Sequence, residues 1–116
     1  MKVEVRVTEN FKKEAKPLLK KYPSLKSELA FLEKELLQNP TFGTSLGNHI
    51  YKIRLAIKSK GRGKSGGARV KSLLEMEFFK QESSEQQTVV NLISIYDKSE
   101  LPNLSDAEIQ RIIRNL

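Results

Sequence analysis

The spacing of apolar residues changes along this chain, and the change limits the folds that it can adopt. Between Phe11 and Leu37 apolar residues recur every three or four positions, as in amphipathic helices. Before this segment Val3, Val5 and Val7 alternate with charged residues, and from Tyr51 onward apolar and polar residues alternate again, as in half-buried strands. A strand, a helical segment and a run of strands together predict an α+β fold, in which helices cover an antiparallel sheet.

The predicted order of elements is β-α-α-β-β-β-α, in a single domain that covers residues 1–116. Thr8 is expected to cap the first helix, which Pro17 should kink or shorten because proline lacks the amide donor. Ser24 is expected to cap the second helix, so that the two form a helical hairpin. The segment 41–48 is interpreted as a loop, and the spacing of Ser105 and Glu108 predicts a capping box that opens the last helix.

The positive charge of the chain is confined to one segment. The formal net charge is +7, from 21 Lys and Arg against 14 Asp and Glu. Residues 48–72 contain eight basic residues and no acidic one, which leaves 13 basic and 14 acidic residues for the rest, a charge of −1. A chain that is otherwise balanced therefore presents a local cationic surface, and such a surface favours an anionic partner.

Several classes of protein are disfavoured by what the sequence lacks. It contains no cysteine, which excludes disulfides, thiol nucleophiles and cysteine-bound zinc, and it contains one histidine, His49. No apolar run has the length of about 20 residues that a membrane span requires, and the N-terminus lacks the apolar core of a signal peptide. We therefore expect a cytoplasmic protein without a metal site, without a cofactor and without a membrane partner.

The predicted strands bring basic residues together on one surface. Lys52, Arg54 and Lys58 share one face of the strand that begins near Tyr51, and Arg69 and Lys71 share a face of the next. If the two strands form a hairpin, these cations lie side by side and suit a polyanionic phosphate ligand. The alternative is a solvated basic face that only keeps the protein in solution.

The segment that joins these strands, residues 59–67, contains four glycines and three basic residues and is interpreted as an exposed connection. Gly63-Lys64-Ser65 is not a nucleotide-binding P-loop, because that motif requires glycine at position 58, where this chain has Lys58. His49 is interpreted as a structural or surface residue at the start of a strand, facing the edge of the core. Tyr96 either packs in the core or stacks on a base, and Lys98 is expected at the end of the last strand, near the cations.

Five segments of the sequence are considered together: Phe11-Lys12-Lys13, Lys20-Lys21-Tyr22-Pro23-Ser24-Leu25, Tyr51-Lys52-Ile53-Arg54-Leu55-Ala56, Gly61-Arg62-Gly63-Lys64-Ser65-Gly66-Gly67-Ala68-Arg69-Val70 and Ile95-Tyr96-Asp97-Lys98-Ser99-Glu100. These segments resemble the RelE/ParE toxin superfamily, and the nearest branch is that of the HigB-like toxins of bacterial type II toxin–antitoxin modules. The resemblance runs from about Phe11 to the last helix, and its most specific part is the glycine-rich basic segment ending in Gly-Gly-Ala-Arg-Val.

This resemblance implies an endoribonuclease that cuts translated messenger RNA on the ribosome and that a cognate antitoxin neutralises, with a helix-turn-helix protein as the candidate type of antitoxin. In the chemistry of such an enzyme a 2′-hydroxyl attacks the adjacent phosphorus, cations stabilise the charge that gathers on the phosphate oxygens, and an acid protonates the leaving 5′-oxygen. No metal takes part. The resemblance also implies the family fold, a helical hairpin packed on a small, mostly antiparallel sheet.

The roles implied for individual residues follow the positions that match the family. Lys52 and Arg54 match a basic pair on the central strand, with Lys52 a candidate base. Arg69 matches the arginine that clamps the phosphate, and Lys98 matches a basic residue that contacts phosphate or acts as the acid. The residues expected to hold RNA are Lys58, Lys60, Arg62, Lys64, Lys71 and Tyr96. Lys71 departs from the family, in which that position is commonly apolar or aromatic.

Two other functions remain open on the same residues. A ParE-type inhibitor of DNA gyrase would bind its target without nuclease chemistry, and a non-catalytic RNA-binding module would use the same basic surface. The cluster of Lys52, Arg54, Arg69 and Lys98 favours cleavage, because a phosphate clamp is needed for that reaction and is unnecessary for gyrase inhibition.

Overall fold

The fold was examined in a computed structural model, which describes residues 2–61, 66–78, 86–99 and 105–116. It is an α+β fold, which confirms the predicted class, with one strand more than the sequence predicted. The elements are β1 (Lys2–Val7), α1 (Glu9–Lys21), α2 (Leu25–Gln38), β2 (Thr44–Gly47), β3 (Ile50–Leu55), a short 3-10 turn (Lys58–Lys60), β4 (Ala68–Phe78), β5 (Gln86–Asp97) and α3 (Asp106–Arg114).

The five strands form one sheet in the order β1-β5-β4-β3-β2. β1 is parallel to β5, and the other three pairs are antiparallel, so the predicted hairpin between the two basic strands is present as β3 and β4. β4 is the central strand. A β-bulge interrupts its pairing with β5, since Lys71 pairs with Ser94 while Ser72 pairs with Leu92, which leaves Ile93 as the additional residue on β5.

The helical hairpin covers one face of the sheet. The stripe of α1 that includes Phe11, Ala15 and Leu18 is buried against the apolar faces of the strands, together with the stripe of α2 that includes Leu32 and Leu36. Thr8 caps α1 as predicted, because its hydroxyl accepts a hydrogen bond from the Phe11 amide at 3.2 Å. The helix continues through Pro17 to Lys21. The core therefore lies between this hairpin and the sheet.

The start of α2 differs from the prediction. Ser24 precedes the helix but its side chain makes no capping hydrogen bond. Its hydroxyl lies 2.6 Å from the Ser59 hydroxyl instead, and the Glu28 carboxylate accepts a hydrogen bond from the Lys58 amide at 2.6 Å. A long-range contact replaces the local cap, and it ties the connection after β3 to the beginning of α2.

The segment before β3 is also more ordered than the predicted loop. β2 pairs with β3, and Asn48 and His49 form the turn between them, both with positive φ, 54° and 64°. His49 is exposed in this turn, so the prediction that it faces the edge of the core is wrong. The reason is that the two-residue turn needs the left-handed backbone at both positions, and this directs the side chain to solvent.

The last helix packs on the second face of the sheet. Ile109 is buried there, and Ile112 and Ile113 pack beside it against Ile93 and Leu73. Ser105 caps α3 as predicted, with its hydroxyl accepting a hydrogen bond from the Glu108 amide at 3.2 Å. Within the described ranges, no helix combines the length and the apolar character that crossing a membrane requires.

Candidate nucleic-acid interface

Four of the predicted site residues form two cross-strand pairs on the face of the sheet that α3 partly covers. Arg54 on β3 pairs with Arg69 on β4, and Lys52 pairs with Lys71 one step further along. Residues directly opposite in an antiparallel pair have β-carbons about 5 Å apart, and like charges in that position destabilise a sheet. Two such pairs in succession are therefore costly for folding, as expected where a surface is built to bind an anion. We call these four residues the cationic face.

Arg69 occupies the interior of this face. Arg69 is 4% exposed, and one of its guanidinium nitrogens donates a hydrogen bond to the Ala68 carbonyl at 3.2 Å. Burial, and then the charge of Arg54, lowers the pKa of Arg69 below its usual range. The guanidinium nevertheless remains charged at any physiological pH. A positive charge that is desolvated and faces a second arginine interacts strongly with a phosphate that comes between them.

Lys71 is the most deeply buried member of the cationic face, since only 1% of its surface is exposed. Its ammonium lies 5.8 Å from the centre of the Tyr96 ring. Burial lowers the pKa of Lys71 to about 8, and the charge of Lys52 acts in the same direction. Asp106 opposes this shift, whereas Arg69 and Lys98 add to it. The sequence placed this lysine among the RNA-binding residues but did not indicate its burial.

β5 supplies the two remaining members of the site. Tyr96 pairs with Arg69 and is 7% exposed, packed in the cluster that includes Ile109 of α3. Lys98 follows the strand, is half-buried, and donates a hydrogen bond from its amide to the Gly67 carbonyl at 3.0 Å. The charge of Lys98 lowers the pKa of Lys71, so Lys98 lies near the other cations, as expected.

Gly67 holds the ends of these strands together. A β-carbon at this position would lie 2.0 Å from the Leu55 carbonyl oxygen, a distance that no side chain can occupy. The close approach lets the chain enter β4 directly opposite the end of β3, and this sets the register that pairs Arg54 with Arg69.

Lys60 lies elsewhere. Its ammonium contacts the Asp97 carboxylate at 2.5 Å, in an ion pair whose two side chains are 7% and 0% exposed. The Tyr22 hydroxyl donates to the same carboxylate at 2.6 Å, and Ser99 donates to it through both its amide and its hydroxyl. Burial alone would raise the pKa of Asp97, but these hydrogen bonds together hold it well below its usual range. Lys60 thus has a structural contact, and RNA binding by this residue remains a prediction that the contact does not favour.

The other predicted RNA-binding residues are only partly placed. Lys58 is exposed in the 3-10 turn beyond the end of β3, so it does not share the sheet face of Lys52 and Arg54 as the alternation suggested. Arg62 and Lys64 lie outside the described residues.

Two residues near the site were not predicted. Asp106, in the first turn of α3, places a carboxylate close enough to act on Lys71. Asp97 anchors the end of β5 from the reverse side of the sheet. A charged residue at the end of an otherwise apolar strand was the available signal for Asp97. For Asp106 there was none, because the packing of α3 over the cationic face depends on tertiary structure.

The chemistry available at this interface is that of amines, guanidinium groups and one phenol. Among the residues that the structure describes, no group of three or more acidic or histidine side chains is arranged so that it could hold a metal ion.

No protein-family model matches the chain, and no curated protein is detectably similar to it.

Proposed function

We propose that this protein is the toxin of a type II toxin–antitoxin module and that it acts in the cytoplasm as a ribosome-dependent endoribonuclease of messenger RNA. The observation that carries the proposal is the cationic face, where two like-charge pairs lie side by side on neighbouring strands and Arg69 is buried between Arg54 and Tyr96. The resemblance of the sequence to the RelE/ParE superfamily supports the same function.

In the proposed reaction the cationic face binds the scissile phosphate. Arg69 and Arg54 stabilise the negative charge that grows on its non-bridging oxygens as the 2′-oxygen attacks. Lys52 lies opposite Lys71 and is half-buried, and in its neutral amine form it is positioned to receive the 2′-hydroxyl proton. Tyr96 packs beside Arg69 below the proposed phosphate site, and Lys98 adds a further cation. A cognate antitoxin is the proposed partner, and its binding would end the activity.

The proposal predicts that loss of the Arg69 guanidinium abolishes cleavage. In a translation reaction with a defined message and purified protein, primer extension should map cuts in the translated region that disappear when ribosomes are omitted. Arg69→Ala should lower the cleavage rate by about 10²–10³, since one preorganised donor to the developing charge is lost. Arg114→Ala, which removes an exposed arginine at the end of α3, is the matched control and should cut at the wild-type rate.

Because Arg69 is buried, folding of each variant is checked by circular dichroism, and Arg69→Lys provides a variant that keeps the charge but loses the two-pronged contact. Full growth arrest by a folded Arg69→Ala protein would contradict the catalytic role of Arg69. Intact message together with blocked supercoiling of plasmid DNA by gyrase would instead favour gyrase inhibition. Message that is bound but never cut would favour a non-catalytic RNA-binding module.

A further inference from the structure

We propose that the Lys71 ammonium is the general acid of the cleavage reaction, donating its proton to the leaving 5′-oxygen, an inference that rests on the proposed ribonuclease function. It assigns to Lys71 a step in the chemistry and not only a contact with RNA. The evidence is the position of this side chain, the charges that face it and the type of proton donor that the other members of the site provide.

The position of Lys71 brings it within reach of a bound phosphate. It lies two residues from Arg69 on the central strand, so both side chains leave the same face of the sheet about 6.6 Å apart along the strand. A phosphate held between Arg69 and Arg54 is therefore two residues along the strand from Lys71, a gap that a lysine side chain can span. The bulge on β5 directly beside Lys71 is a device that commonly re-aims side chains near active sites.

The side chain of Lys71 is buried, and no hydrogen bond or ion pair of its ammonium is described in the part of the chain that the structure covers. Its described contact is the face of the Tyr96 ring, 5.8 Å from the nitrogen. A buried ammonium that serves only the fold is normally paired with a carboxylate or a carbonyl, as Lys60 is with Asp97. An acceptor supplied by the substrate would complete the coordination of Lys71.

Charged or titratable groups face Lys71 from every described element that packs around it, and three of the five are cations. They are Lys52 on β3, Arg69 on β4, Tyr96 on β5, Lys98 just beyond β5 and Asp106 on α3. Burial and the cations together lower the pKa of Lys71 to about 8 against the single opposing carboxylate. At neutral pH the side chain is therefore mostly protonated and is a much stronger acid than an exposed lysine, which is the combination that general acid catalysis needs.

Arg69 cannot supply this proton, because a guanidinium does not deprotonate in proteins. With Lys71 as the acid the reaction balances. The 2′-oxygen bonds to phosphorus while its proton passes to the neutral amine form of Lys52, the bond between phosphorus and the 5′-oxygen breaks, and the Lys71 proton passes to that oxygen. The products are a 2′,3′-cyclic phosphate and a 5′-hydroxyl, and exchange with water restores both lysines.

The test compares two messages, one with the natural 5′-oxygen at the cut site and one with sulfur in its place, bound to translating ribosomes. A thiolate leaves without protonation, so the sulfur message does not need the acid. Lys71→Arg keeps the charge but cannot donate a proton, and it should cleave the oxygen message about 10²–10⁴ times more slowly than the wild type while binding RNA within about twofold. On the sulfur message its rate should approach that of the wild type.

Two further variants keep the test decisive. Lys71→Met should show the same loss on the oxygen message and the same recovery on the sulfur message, which guards against a folding defect peculiar to arginine. Arg69→Ala should stay slow on both messages, because its defect is in charge stabilisation. Cleavage of the oxygen message by Lys71→Arg near the wild-type rate, or an equal deficit on both messages, would overturn the assignment. A wild-type protein that cleaves neither message would overturn the proposed function itself.

Discussion

Lys60 and Lys71 are both buried, but they differ in how far their charges are compensated. Lys60 is buried against Asp97 in an ion pair that Tyr22 and Ser99 complete, so its charge is compensated. Lys71 is buried among like charges with an aromatic ring beside it, so its charge is largely uncompensated. The first arrangement serves the fold, whereas the second lowers stability at the surface for which we propose a catalytic function.

The cost of Lys71 is measurable through its pH dependence. Its folded pKa of about 8 lies below the value of about 10.4 expected in the unfolded chain, so the unfolded state binds more protons between these two values. Stability therefore rises with pH across that window, and the full penalty is present below pH 8. Lys71→Met should raise the free energy of unfolding at pH 7 by about 2–3 kcal/mol, and the difference from wild type should shrink toward pH 10.

Urea unfolding of both proteins at pH 7 and pH 10 checks this expectation. Lys34→Met, which replaces an exposed lysine of α2, is the control and should show no such pH-dependent difference. A Lys71→Met protein that is less stable than the wild type at pH 7 would mean that the ammonium contributes favourable contacts to the fold.

The secondary-structure elements that bury an apolar face could be predicted from the sequence, whereas β2, which is held only by backbone pairing, could not. The helices and the long strands β4 and β5 have clear apolar stripes, and their existence was confirmed. β2 has no such stripe, because all four of its residues are exposed and only Leu46 is large and apolar. It is a strand because its backbone pairs with β3, and backbone pairing leaves no hydrophobic period in a sequence.

The turn between β2 and β3 gives a second prediction. His49 has a φ of 64°, in the left-handed region that costs a residue with a side chain about 1–2 kcal/mol, and glycine follows asparagine in the most favourable turns of this type. His49→Gly should raise the free energy of unfolding by about 0.5–1 kcal/mol after the entropy cost of glycine is included. Thermal unfolding measures it, and His49→Ala, with the strain retained, is the control. If glycine lowered the melting temperature, the imidazole would have to make a stabilising contact.

For the whole molecule, the sequence predicted which basic residues share a surface, but it did not predict how deeply each is buried or which groups it contacts. The alternation of residues placed Lys52 and Arg54 on one face, and the hairpin placed Arg69 and Lys71 beside them, as observed. The burial of Lys71, the diversion of Lys60 to Asp97 and the approach of Asp106 depend on how three layers pack. Those layers are joined by contacts between residues far apart in the chain, and local patterns carry no record of such contacts.

α3 adds a prediction that concerns these layers together. Its Asp106 brings a negative charge to the face that is proposed to bind RNA, so the carboxylate competes with phosphate for Lys71. Asp106→Asn should raise the affinity for a short single-stranded RNA about two- to fivefold at low salt, as expected for one charge near the site, and the effect should fade as salt screens it. Fluorescence anisotropy provides the measurement.

Glu33→Gln is the matched control for this variant, because it removes a carboxylate exposed on α2, on the opposite side of the sheet. It should change the affinity much less. An equal increase in both variants would mean that net charge alone governs binding and that the position of α3 does not matter.

The strand order also fixes when the protein becomes competent during its own synthesis. β1, the first strand made, pairs only with β5, the last, and β5 also supplies Tyr96 and Lys98 to the cationic face. Neither the full sheet nor the cationic face with its β5 residues can form until residues 86–97 are available, and pairing between such distant segments is slow. The cationic face is therefore completed only after β5 has been made, and any activity that depends on this face, including the one proposed above, has to wait for that strand.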